Sequence, residues 1–116
     1  MQPPQPFHDD RPWGKELWFK GNAPTMVKIL TINPGEEFSL QYHHKRDESW
    51  YVISGNGSAQ VDSEIIELNP GSYQFVPRMI KHRLKSGNLP LAVLELTYGE
   101  FDEKDEVRLE DHYGRT

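Results

Sequence analysis

Apolar residues fall in short runs along the chain, each stopped within a few positions by Gly, Pro, Asn or Ser. Residues 26–32, Met-Val-Lys-Ile-Leu-Thr-Ile, are apolar and rich in β-branched side chains, as a buried strand would be. Asn33-Pro34-Gly35 then makes a turn. Residues 38–42 and 49–53 read as two further strands, and Ser54-Gly55-Asn56-Gly57 as a hairpin turn. Residues 58–61 and 65–68 follow, then a second Asn-Pro-Gly turn at Asn69 to Gly71, then strands at 73–76, 83–85 and 91–98. No long amphipathic helix interrupts the series, so the expected architecture is all-β, a sandwich or a barrel. Residues 1–10, rich in Pro and Gln, read as a flexible N-terminal arm, and residues 11–116 as a single domain. Trp13 and Trp18 are expected to pack together, and residues 100–111 to hold a short helix or a surface strand.

The composition supports that reading. A chain of 116 residues makes one domain, and nine Pro with nine Gly favour turns between short strands over long helices. The formal net charge of -5 argues against non-specific binding to nucleic acid. With no cysteine, disulfides and thiolate chemistry are excluded. The first ten residues lack the apolar stretch of a signal peptide, and no run has the length of a membrane span. A cytoplasmic location without membrane attachment is the expectation.

Four side chains stand out as metal donors. Gln41 and His43 are two apart on an expected strand and leave the same face. Glu48 opens the next strand with the parity of Trp50 and Val52, and His82 lies beyond Val76-Pro77. Imidazole, carboxylate and amide oxygen suit a borderline divalent ion such as zinc, cobalt or nickel, and admit manganese or iron. On local sequence alone, the commoner reading is His43 as a buried structural histidine and Gln41 as a strand-edge amide.

The spacing of these residues resembles a known superfamily. Gly35, Gln41, His43, Glu48 and Gly55 are spaced like the first cupin motif, G-x5-H-x-H-x3,4-E-x6-G, with Gln41 in place of the first His. Gly71, Pro77 and His82 are similar to the second motif, G-x5-P-x-G-x2-H-x3-N, with Met79 in place of Gly and Ser86 in place of Asn. The stretch from Ser39 to Trp50 resembles more narrowly the S-L-Q-x-H-x-x-R-x-E-x-W segment in the C-terminal cupin domain of type II mannose-6-phosphate isomerases. Arg11-Pro12-Trp13-Gly14 and Lys81-His82-Arg83-Leu84 match the R-P-W-G and x-H-R-L segments of that domain. The tail from Asp105 to Arg115 is similar to its closing D-D-I-x-R-x-x-D-x-Y-G-R, departing at Lys104 and Glu106. Lys45 and Ser49 replace two histidines usual in the family, at positions where substrate is expected to sit. No G-x-G-x-R-x-x-P opening of a nucleotidyltransferase occurs, so the expectation is a stand-alone domain without GDP-mannose synthesis.

The resemblance implies a cupin double-stranded β-helix, a jelly-roll barrel. It implies Gln41, His43, Glu48 and His82 as ligands of one metal, usually zinc, serving an isomerisation of mannose 6-phosphate to fructose 6-phosphate. Moving a proton between C1 and C2 requires a general base, for which Lys45, His44 and Glu95 are candidates, with His44 of outward parity. Binding a phosphate calls for a cation, for which Arg46 comes first and Arg83 and Arg108 follow. Tyr42, Trp50 and Tyr113 are candidates to line a sugar pocket. A sugar-binding or regulatory cupin without activity and a metal-dependent oxygenase stand as alternatives, and the fold leads to the expectation of a homodimer.

Overall fold

The computed structural model describes residues 5–20 and 23–111, all of it strand, turn and loop. In chain order the strands are β1 (Gln5–Arg11), β2 (Gly14–Lys20), β3 (Met26–Ile32), β4 (Leu40–Tyr42), β5 (Arg46–Ser54) and β6 (Gly57–Val61). They continue with β7 (Glu64–Leu68), β8 (Tyr73–Val76), β9 (His82–Ser86), β10 (Leu91–Gly99) and β11 (Val107–Glu110). One antiparallel sheet runs β3-β10-β5-β8 and a second runs β11-β4-β9-β6-β7. Together they make the expected jelly-roll barrel. The tail contributes a strand rather than a helix, pairing Val107 with Tyr42 and Arg108 with Gln41.

The N-terminal expectation needs correction. Residues 5–10 lie in β1, which pairs with β2 from Gln5 opposite Lys20 to Arg11 opposite Gly14. Backbone pairing across the tight turn at Pro12 and Trp13 creates this hairpin, and it requires no apolar pattern in the sequence. Trp13, at the turn, is 73% exposed, whereas Trp18 meets Phe7 edge-on at 6.5 Å, so the two tryptophans do not pack together. Residues 1–4 of the expected arm, and Tyr113 with its neighbours 112–116, lie outside the described residues.

The inward positions change character along each strand. On β5, Val52 and Trp50 are followed on the same face by Glu48 and Arg46, and on β10, Leu91 and Val93 by Glu95 and Thr97. Ile32 and Leu30 on β3 are followed by Lys28 at the same parity, and on β9 Leu84 is preceded by His82. The pairing keeps like beside like: Val93 faces Val52 and Leu30, while Thr97 faces Glu48 and Lys28 faces Glu95. One end of the barrel is therefore an apolar core built on Trp50, Val52, Ala59, Leu68, Val76, Leu84, Leu91 and Val93. Each large side chain there contributes roughly 1.5–3 kcal/mol by leaving water. The other end is lined by ionisable groups.

Trp50 sits at the seam. It is buried, meets Phe38 edge-on at 6.3 Å and His82 at 5.5 Å, and donates from Nε1 to Glu95 Oε2 at 3.1 Å.

Candidate active site

His43, Glu48 and His82 come together at the polar end from three places in the chain, and all three are buried. Glu48 lies inside β5, His82 opens β9 opposite Gln41, and His43 follows directly after β4. His82 Nε2 is 3.2 Å and His43 Nε2 3.7 Å from the same oxygen, Glu48 Oε1. The donor atoms of the three lie within 4.8 Å of one another, as a single ion requires.

The ring protons are set by carbonyl oxygens, which can only accept. His43 Nδ1 donates to the Asp105 carbonyl at 2.6 Å and His82 Nδ1 to the Ile80 carbonyl at 2.9 Å. With the proton on Nδ1, each Nε2 is an acceptor turned toward the centre, and that of His43 takes Arg46 Nη2 at 3.2 Å. Burial lowers the His43 pKa, against the pull of the Glu48 charge, which favours the neutral ring. Burial opposes ionisation of Glu48, but His82, His43 and Arg46 outweigh it and hold the carboxyl below its ordinary value. Glu48 Oε1 and His82 Nε2 are buried with no hydrogen-bond partner. Lone pair facing carboxylate, both dry, is an arrangement that a cation between them satisfies. The group therefore fits a divalent metal by its chemistry, its spacing and its unmet polar atoms.

Glu48 also forms part of the wall of a cavity of about 220 Å³. Three cations, Lys28, Arg46 and Arg108, and three carboxylates, Glu48, Glu95 and Glu106, line it. Arg108 pairs with Glu106 at 2.7 Å. Arg46 is buried, with Nη2 3.2 Å from His43 Nε2, Nε 3.6 Å from Glu48 Oε2, and its guanidinium carbon 5.0 Å from the centre of the Phe101 ring. Glu95 is pushed up to about 7, first by burial and then by the Glu48 charge, against the Trp50 hydrogen bond. Gln41 lines the cavity too, and its amide oxygen accepts from Ser39 Oγ at 2.6 Å.

The structure thus gathers Gln41, His43, Glu48, His82, Arg46, Glu95 and Arg108 at one end of the barrel. It does not gather Lys45 or Arg83. Lys45 projects from the loop before β5, 55% exposed, with Nζ 3.8 Å from Glu100. Arg83 has the parity opposite to His82 and Leu84, so it points away from the barrel interior. There it donates to the Phe38 carbonyl and pairs with Glu37 and Glu110. Ser49 lies on the face of β5 opposite to Glu48, hydrogen-bonded to the Tyr73 hydroxyl at 2.9 Å. Neither Lys45 nor Ser49 is in the wall of this cavity. His44 points outward, 51% exposed, and Tyr42 meets it edge-on instead of entering the cavity. Two charged wall residues, Lys28 and Glu106, escape the sequence reading. Lys28 was legible, since it shares the parity of Met26, Leu30 and Ile32, whereas Glu106 carries no such signal.

An antiparallel jelly roll with a buried His/Glu/His group at one end defines a cupin. A cupin protein from Bacteroides fragilis superposes with a TM-score of 0.58 at 21% identity, over 68% of this chain and 72% of that one. Residues 5–111 match the family described as mannose-6-phosphate isomerase C-terminal, and the chain belongs to that family. The xanthan biosynthesis protein XanB of Xanthomonas campestris pv. campestris is 40% identical over 108 residues, 91% of this chain and 23% of XanB. The mannose-1-phosphate guanylyltransferase ManC of Salmonella typhimurium is 36% identical over 107 residues, 90% of this chain and 22% of ManC. The chain thus spans under a quarter of the length of these relatives. No helix among the described residues is long and apolar enough to cross a membrane.

Proposed function

We propose that this domain is a metal-dependent aldose–ketose isomerase of hexose phosphates, with mannose 6-phosphate and fructose 6-phosphate as the leading pair. The observation that carries it is that Glu48 belongs both to the His/Glu/His group and to the wall of a small cavity holding three cations. The volume of about 220 Å³ falls below the roughly 300–1,000 Å³ of drug-sized sites and suits a small polar metabolite.

Gln41, His43, Glu48 and His82 would hold the metal, zinc being the first choice. When bound, it supplies a Lewis acid that stabilises the negative charge of an enediolate. Lys28, Arg46 and Arg108 would take the phosphate by charge-assisted hydrogen bonds. Glu95 would serve as the base: with a pKa of about 7 it is half ionised near neutrality, so it can take a proton from C2 and return it at C1. Trp50 Nε1 holds its carboxylate oxygen in place. The same reading has the protein acting in the cytoplasm as a homodimer. Val27 and Ile29, 53% and 66% exposed on edge strand β3, offer apolar surface to a second copy.

The test is to load the purified protein separately with zinc, cobalt, nickel and manganese and to assay the interconversion of the two sugar phosphates. Turnover with at least one metal, lost in Glu48→Gln together with bound metal, is expected. A folded protein that turns over with none of them is not an isomerase. Saturable sugar-phosphate binding by calorimetry in that case would identify a sugar-binding cupin.

A further inference from the structure

We propose that Asp105 is the positioning residue of the metal group, the one that locks His43 with Nδ1 protonated and Nε2 turned toward Glu48. This rests on reading His43, Glu48 and His82 as a metal site. It extends that reading to a residue that supplies no donor atom and does not line the cavity.

Asp105 grips the segment after β4 at several points. Its carbonyl oxygen accepts from His43 Nδ1 at 2.6 Å, across 62 positions of sequence. Its carboxylate accepts from two successive amides, Oδ1 from His44 N at 2.9 Å and Oδ2 from Lys45 N at 2.9 Å. Oδ1 also lies 3.3 Å from His44 Nδ1. The carboxylate is 6% exposed, tucked under His44 and Lys45, which themselves lie at the surface. The turn that carries it is closed by Asp105 N donating to the Asp102 carbonyl at 2.9 Å. The side chain therefore fixes the backbone whose carbonyl fixes the ring.

The contrast with His82 shows why His43 needs this. His82 takes its Nδ1 acceptor from Ile80, two residues earlier in the same loop. His43 has its acceptor on a distant segment, held beside it by the β11–β4 ladder that begins with Val107 opposite Tyr42 and by the bonds between residues 43–46 and the 100–105 segment. Loss of the partner that orients a ligating imidazole costs roughly 10–100-fold in metal affinity.

The experiment uses the full chain with ¹⁵N-labelled histidine at pH 8, metal-free, and reads the His43 ring nitrogens by long-range proton–nitrogen correlation. Zinc and cobalt affinities are then measured by competition with a chromophoric chelator. The wild-type ring is expected to show a protonated Nδ1 and a bare Nε2. Asp105→Ala should average the two nitrogens and weaken both metals by roughly 10–100-fold. Asp105→Asn retains one acceptor oxygen and should recover part of that loss. Glu103→Ala, an exposed residue of the same loop, should leave both readouts at wild type. Unchanged His43 nitrogens in folded Asp105→Ala and Asp105→Asn, or unchanged affinities, overturn the proposal alone. A wild-type protein that binds neither metal overturns the metal reading beneath it.

Discussion

Glu95 carries the clearest pH dependence of any single side chain in the barrel. Its carboxyl rises from 4.5 to about 7 in the folded chain. Between those values the folded protein holds a proton that the unfolded chain has lost. Its contribution to stability is therefore complete below about 4.5 and disappears as pH rises through about 7. In EDTA, wild type should lose on the order of 2–3 kcal/mol from this group between pH 4.5 and 8, and Glu95→Gln should not. Urea denaturation at the two pH values measures the difference; equal losses would remove Glu95 as the source. Lys28 gives a different prediction. Lys28→Met should raise KM for the sugar phosphate roughly tenfold or more while leaving metal content unchanged. Steady-state kinetics beside elemental analysis separate the two, and a loss of metal would place Lys28 in the wrong role.

At the scale of elements, two turns carry the motif spacing. Gly55 has φ of 85°, and a Cβ there would overlap the Pro90 carbonyl oxygen. Gly55→Ala should cost about 3 kcal/mol, from left-handed strain and that overlap together. Met79, where the cupin motif has Gly, adopts φ of 68° and donates its amide to the His43 carbonyl at 2.7 Å. A side chain in that conformation costs about 1 kcal/mol, so Met79→Gly should stabilise the protein by up to that amount. Thermal melts of both variants against wild type decide; a destabilised Met79→Gly would mean the side chain contributes packing that outweighs the strain. Strands were legible where apolar parity and turn residues coincide: residues 26–32 and 73–76 match β3 and β8 end to end. Where pairing replaces pattern they were not. β1 has Pro, His and Asp among its residues and is held by its ladder to β2. The convergence of His43, Glu48 and His82 was legible because motif spacing reports it. Asp105 was not, because its carbonyl would serve from any residue type and its partners lie some 60 positions away.

At the scale of the molecule, the barrel separates the residues that hold it together from those that would bind. The apolar cluster stabilises without metal, while the polar end leaves Glu48 and His82 with unmet hydrogen-bonding capacity. Saturating metal should accordingly raise the melting temperature of an already folded protein, reversibly with EDTA. At a hundred times Kd the gain is about 2.7 kcal/mol. Calorimetric scans with and without metal test this, and an unfolded apo protein would contradict the separation.

The three donors are set 5 and 34 residues apart, and the Asp105 carbonyl reaches His43 across 62. Contacts of such sequence separation close slowly, after the entropy of long loops has been overcome. Ion capture should therefore be a late event when the denatured chain is diluted into buffer. In stopped-flow refolding with cobalt, Trp50 fluorescence should settle before the visible absorption of the ion appears, so that uptake clocks the completion of the barrel.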